Sequence, residues 1–296
     1  APDGVKLVSF NPDAQVRGKP LRSLRARIET RVTAESASRL NEIVTALRPD
    51  LTMVSGIPLF GLLDTLAEHG GRVVLDMQNV ESALQRQHAK SLGTFAKLRL
   101  ETEVLRTAWL ENRAAGKVAA ITACSRLDRD HLVSRFRRRL PIHILPNILP
   151  HMDQMPLQKP VVPPVILFIG HLGYRPNVDA AMRLAKNILP LIAARLPSAR
   201  LVIAGRFPRP EIKALDKLSG VTVIVDPPGV ADLYARASVA VMPIASGGGT
   251  RIKILEAMAL GVPVVATSKA AEGLDLAEGL DFIGGETDRE LADAAI

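Results

Sequence analysis

SGGGTRIKILEAMALGVPVVAT, residues 246–267, sets three glycines between a run that reads as a strand, 238–243, and one that reads as a helix, 250–260. A loop of this kind leaves backbone N–H groups open at a helix N-terminus, where the helix dipole favours an anion. Gly247, Gly248 and Gly249 admit positive φ and let a ligand approach the backbone closely. Thr250 closes the loop, and the Arg251 guanidinium is a fork that suits phosphate oxygens. Glu256 follows on a largely apolar segment, among Ile252, Ile254, Leu255, Ala257 and Met258. A carboxylate there is costly without a partner, and a ligand hydroxyl is one partner it can have. The other reading of Glu256 is an i, i+3 pair with Lys253 on an exposed face. Gly261 and Pro263 break the helix, and residues 262–266 read as a buried strand.

Working outward, the second half alternates short β-branched runs with amphipathic segments. Strands read at 165–169, 200–204, 221–225, 239–242 and 262–266, and helices at 177–194, 209–218, 230–237 and 250–260. This pattern predicts a parallel sheet covered on both faces, with ligands beyond the carboxyl ends of the strands. The first half repeats the rhythm more loosely. Strands fit 5–10, 51–55, 72–76, 118–123 and 142–145; helices fit 35–47, 59–68, 80–113 with a break near Gly93, and 126–138. The Pro-rich stretch 146–164 marks the boundary between a domain of residues 1–150 and one of residues 151–296, a linker about which two domains can hinge.

Charge is uneven. Residues 1–150 hold 23 Lys and Arg against 15 Asp and Glu, while residues 151–296 hold 15 of each. The excess gathers at Arg22, Arg25, Arg27 and Arg31, and at Arg135, Arg137, Arg138 and Arg139. Either these are solvated helix faces, or they attract an anionic lipid surface or a phosphate-bearing acceptor. With 3% aromatic residues there are few platforms for stacked bases, which argues against nucleic acid. No run of eighteen apolar residues is present, and no Cys/His spacing matches a metal site. The single cysteine, Cys124, excludes an internal disulfide and fits a reducing compartment. The expected setting is cytoplasmic, with peripheral contact at the inner face of a membrane.

The 246–267 segment, together with ILFIGHLGYRPNVDAAMRLAKNILPLIAARLPSARLVIAG at 166–205, resembles the retaining family-4 glycosyltransferases. The resemblance is specific over 163–275, weaker over 71–150, and before that rests on the strand–helix rhythm alone. It implies the GT-B fold: two Rossmann-like, doubly wound parallel-sheet domains facing a cleft. It also implies transfer of a sugar from a nucleoside diphosphate donor, without a metal, to an acceptor glycan, lipid-linked sugar or small molecule. Polysaccharide, glycolipid or natural-product glycosylation is the implied setting. Against the family pattern both ends read as incomplete.

On the resemblance, Glu256 is the second glutamate of the family's E-x7-E motif and holds the ribose hydroxyls. The first glutamate falls at Gly248, as in a subgroup that carries GGGT-R-x-K. Arg251 and Lys253 neutralise the leaving diphosphate, and Arg251 is counted with the catalytic candidates. After the strand ending near Gly170, relatives carry an Arg and, six residues after the Gly, a Lys; here those positions are His171 and Pro176. Arg175 lies beside them as a substitute, and His171 reads equally as a plain loop histidine. Asn177 reads as a helix N-cap. Pro228 and Val230 belong to the loop that shelves the nucleotide base. DMQNVE, 76–81, resembles a D-x-H-N-V-E segment, with Gln78 at the position of a histidine near the reacting centre. Gln78 can hydrogen-bond a sugar but cannot act as a base. Asn79 and Glu81 read alternatively as helix caps. The missing histidine, first glutamate and phosphate lysine also fit a non-catalytic member that binds a nucleotide-sugar and serves as a regulatory or partner subunit.

Overall fold

A computed structural model describes residues 34–69, 71–89, 94–136, 139–149 and 162–296. The expected strand at 5–10, the arginines at 22–31, Gly93, Arg137, Arg138 and most of the Pro-rich stretch lie outside these. The chain divides into two compact units, Ala1–Pro146 and Asn147–Ile296.

Among the described residues the first unit holds four parallel strands in the order β1-β2-β3-β4: β1 (Leu51–Ser55), β2 (Arg72–Met77), β3 (Ala120–Ala123) and β4 (Ile142–Ile144). Val54, Leu75, Met77 and Ile121 are buried, and Leu63, Leu110 and Leu132 pack on them from helices Leu62–Ala67, Thr94–Ala115 and Arg126–Arg135. The run read as one helix over 80–113 is two, Glu81–Ala89 and Thr94–Ala115. Glu111 is buried between them and accepts from the Ser82 N–H at 3.0 Å and from the Ser82 hydroxyl. Arg135 Nη1 in turn donates to Ser82 Oγ at 2.6 Å, so this arginine of the basic cluster serves an internal network.

The second unit is a six-stranded parallel sheet, ordered β10-β9-β8-β5-β6-β7. Its strands are β5 (Val165–His171), β6 (Arg200–Arg206), β7 (Val221–Val225), β8 (Val239–Met242), β9 (Val264–Ala266) and β10 (Ile283–Gly284). Phe168, Leu201, Ile203, Val241 and Ala266 are almost fully buried, as near-continuous apolar runs in a doubly covered sheet require. After β5 the chain proceeds to β6 on one side, and after β8 to β9 on the other. The order therefore reverses between β5 and β8, and the crevice at their carboxyl ends is where such a sheet takes a ligand.

The helix expected over 177–194 differs in its start and its continuity. It begins at Arg175, because Pro176 suits the first turn, where its missing N–H costs nothing. It then passes through a π turn, Leu184–Ile188, before resuming as Leu189–Arg195. Pro190 explains the interruption: it cannot donate to the helical ladder, and its ring crowds the carbonyl one turn back. Asp288–Ala295 is capped by Thr287 and Glu290 in a reciprocal box, and Arg183 holds its first residue, with Nε 2.5 Å from Asp288 Oδ1.

Candidate donor site in the second unit

Two loops meet at the β5–β8 crevice. One leaves β8 and runs through Ser246–Gly249 to the helix Ile252–Ala259, whose N-cap is Arg251. The other leaves β5 at His171 and enters the helix Arg175–Arg183. They touch at Gly247, where an added Cβ would lie 3.1 Å from the Tyr174 hydroxyl and 3.2 Å from Pro176 Cγ. Gly247 and Gly249 have φ of 105° and 70°, the region that favours glycine. Gly248 is not in that region, so the strained positions expected of all three belong to its neighbours.

Arg251 is buried at 8% exposure, and its guanidinium serves the loop itself. Nη1 donates to the Gly248 carbonyl and, at 3.1 Å, to that of Gly249; Nη2 lies 3.5 Å from the Ser246 carbonyl. The fork expected to meet phosphate thus holds the loop's own inward-turned carbonyls. The helix begins at Ile252, two residues later than expected, because Thr250 and Arg251 form that turn. Asn147 Nδ2 donates to Thr250 Oγ1, a second clamp on the loop's end.

Lys253 crosses the crevice. Its Nζ donates to Asn177 Oδ1 at 2.7 Å and lies 4.9 Å from the centre of the Phe168 ring. Asn177 is thus corrected from an N-cap to a residue inside the first helical turn; its Nδ2 donates to the His171 carbonyl at 3.1 Å. A Cβ on Gly170 would sit 2.8 Å from Lys253 Nζ and 3.0 Å from Asn177 Nδ2, so glycine there leaves room for both. Burial, and then the nearby Arg251 charge, lower the Lys253 amine to a pKa of about 7; Glu256 acts weakly the other way. The surface lysine paired with Glu256 is therefore not what the chain forms.

The partner that Glu256 needs is Tyr234, a fully buried residue that the sequence reading did not single out. Its hydroxyl lies 3.2 Å from Glu256 Oε2 and from the Lys253 carbonyl. Burial and the Glu256 charge raise the phenol's pKa, keeping it protonated as a donor. One face of the carboxylate is thereby fixed. Its spacing from Tyr234, 22 residues along the chain, carries no local signal.

The remaining candidates are placed as follows. Arg175 is exposed and pairs with Asp179, Nη2 to Oδ1 at 2.7 Å, with Glu211 at 3.9 Å. The His171 ring packs against Phe207, centre to centre 5.2 Å. Pro228 and Val230 lie between β7 and the short helix Ala231–Ala235, with Val230 as its N-cap. Gln78 follows β2 in the first unit, exposed, with its carbonyl accepting from Cys124 Sγ at 3.0 Å. Asp76 just before it accepts from Ser55 Oγ and Thr122 Oγ1, at 2.9 and 2.8 Å, and so pins three strand ends together. Glu81 is the first residue of its helix, and burial, aided by Glu111, raises its pKa. Among the described residues no three His, Cys, Asp or Glu side chains gather as a metal set, and no helix is long and apolar enough to cross a membrane.

Solved structures with this architecture define the class. The chain is similar to sucrose-phosphate synthase from Thermosynechococcus elongatus at TM-score 0.68 and 14% identity, covering 99% of this chain and 76% of that one. It is similar to TarM at 0.63 and 15%, covering 88% and 50%, and to HepE of Anabaena in complex with UDP-glucose at 0.60 and 16%, covering 88% and 71%. It spans only about half the length of TarM. The fold is GT-B. Residues 163–296, nearly all of the second unit, match the family described as glycosyl transferases group 1. No curated protein sequence matches the chain.

Proposed function

We propose that the chain is a retaining glycosyltransferase of family 4, in the subgroup whose loop reads GGGTRIK. It moves a sugar from a nucleoside diphosphate donor to an acceptor hydroxyl. The observation that carries this reading is the β5–β8 crevice, where a glycine loop at a helix N-terminus, the Lys253 ammonium held by Asn177 and a tyrosine-held carboxylate converge. On this reading Glu256 accepts hydrogen bonds from the ribose hydroxyls. The diphosphate lies along Gly247–Gly249 toward Gly170, and the base rests on the Pro228–Val230 loop. His171 borders the phosphates.

The reaction breaks the bond between the anomeric carbon and the diphosphate oxygen and forms one to the acceptor oxygen on the same face. The acceptor's proton leaves with the diphosphate, so no side chain has to serve as the base. Negative charge grows on the departing oxygen, and preorganised N–H groups and Lys253 lower the barrier by meeting it there. The chain supplies these charges itself, and the reading requires no metal. Gln78 contributes a hydrogen bond to the sugar. A glycan, a lipid-linked sugar or a small molecule is the acceptor class, in polysaccharide, glycolipid or natural-product synthesis. The basic residues of the first unit favour an anionic membrane at the cytoplasmic face.

Incubating the chain with UDP-glucose and following the anomeric proton by NMR tests the reading. Release of UDP with an α-configured product is expected; a β-configured product would contradict retention. Gly248 and Gln78, in place of the family's glutamate and histidine, favour a second reading as a nucleotide-sugar-binding subunit without turnover. Binding of UDP-glucose with no transfer or hydrolysis would select that one.

A further inference from the structure

We propose that Glu111 is a positioning residue for Gln78: together with Ser82, Arg135 and Cys124 it holds the short turn from which that glutamine projects. The inference rests on the reading of Gln78 as the sugar contact and goes beyond it, by assigning a task to a buried network that no substrate touches.

The turn 78–80 joins β2 to the helix Glu81–Ala89. It is fixed on both sides. On the strand side the Asp76 carboxylate accepts from the Ser55 and Thr122 hydroxyls, at 2.9 and 2.8 Å, and the Gln78 carbonyl accepts from the Cys124 thiol at 3.0 Å. On the helix side Val80 is buried, and its carbonyl accepts from the N–H groups of Ala83 and Leu84, at 2.9 and 3.1 Å. The first turn of the helix is then clamped from two neighbouring helices. From Thr94–Ala115, Glu111 accepts from the Ser82 N–H at 3.0 Å and from the Ser82 hydroxyl. From Arg126–Arg135, Arg135 Nη1 donates to Ser82 Oγ at 2.6 Å. Ser82 and Glu111 are 0% and 2% exposed, too deep to touch a substrate, whereas Gln78 is exposed.

Apolar side chains could pack these helices without the cost of burying an acid. What the carboxylate adds is location. Its two oxygens meet two donors of one residue, which fixes the helix start in rotation and along its axis, and its charge suits the positive end of the helix dipole. Ser82 lies just beyond the turn, so a shift there carries to Gln78. An uncharged amide helps a reaction only through where it stands, and a misplacement of about 1 Å can cost up to ~100-fold in rate. Holding an exposed side chain from a rigid, buried second layer is how such a contact is kept in place.

The test is a double-mutant cycle on the full chain, reading kcat for UDP-glucose turnover and UDP affinity by calorimetry. Glu111→Gln sets an amide NH2 against a Ser82 donor and removes the charge. It is expected to lower kcat about tenfold and to leave UDP affinity within about twofold. In a Gln78→Ala background the same substitution is expected to lower kcat less than about twofold, because the side chain it positions is gone. Ser82→Ala, a smaller change at the centre of the network, is expected to show the same split and the same dependence on Gln78 with a smaller fall. It decides the matter where circular dichroism shows that Glu111→Gln is unfolded. No fall in kcat, equal falls in both backgrounds, or a matching fall in UDP affinity would overturn the inference and leave the donor-site reading standing. UDP binding by wild type without turnover would do the same. No UDP binding by wild type would overturn both.

Discussion

A carboxylate on a buried helix face has to be matched, and the Tyr234 hydroxyl at 3.2 Å matches Glu256. Tyr234→Phe should weaken UDP binding less than Glu256→Ala, because it loosens the carboxylate without removing it. If Glu256 holds the ribose as proposed, Glu256→Ala removes an acceptor for two hydroxyls, worth about 1.5–3 kcal/mol as charged hydrogen bonds, and isothermal titration reads both. Lys253 has the opposite imbalance, a cation that the fold leaves without a bonded acid. Its folded pKa of about 7 is below its ordinary value, so between the two the unfolded chain binds more protons and stability rises with pH. Lys253→Met should therefore raise Tm at pH 6, and the gain should shrink as pH approaches 10. A gain that is constant with pH would mean that the lysine is not desolvated. The acid and the cation were both visible in the sequence as residues. Their pairing with Tyr234 and Asn177 was not, because each contact spans many residues and obeys no local period.

At the scale of elements, strands were the most legible. β7 and β8 lie where their β-branched runs placed them, since a doubly covered parallel strand must be apolar throughout. The GGGTR loop was legible as a loop, but its internal order was not. Three glycines signal permissive backbone without saying which ones use it, and Gly247 and Gly249 do. Nor does an arginine in such a loop reveal whether its fork points to a ligand or to the loop's own carbonyls. Gly247→Val would force a β-branched residue into a left-handed backbone beside Tyr174 and Pro176, a strain of about 1–3 kcal/mol at the site. Loss of UDP binding with a native circular dichroism spectrum is the expected result. Unchanged binding would move the phosphate away from this loop.

For the whole molecule, the division of labour follows from where the residues fall. The crevice, the glycine loop and the Tyr234–Glu256 pair all belong to the second unit, whereas Gln78 belongs to the first. Gln78→Ala should lower turnover and leave UDP affinity nearly unchanged, a split between kcat and binding that steady-state rates and calorimetry measure together. An equal fall in affinity would place Gln78 among the nucleotide contacts. The fold of the second unit was legible because strand, loop and helix signals agree along 163–296, the same residues that match the glycosyltransferase family. The first unit was less so, for its helix pair is joined through Glu111, Ser82 and Arg135, a buried polar network that reads in sequence as ordinary surface charge. The central claim is that the β5–β8 crevice binds the nucleoside diphosphate. Titration of UDP into wild type and Glu256→Ala tests it most directly. Saturable one-to-one binding that weakens about tenfold or more in the variant is expected. Equal affinity in the two proteins would contradict it.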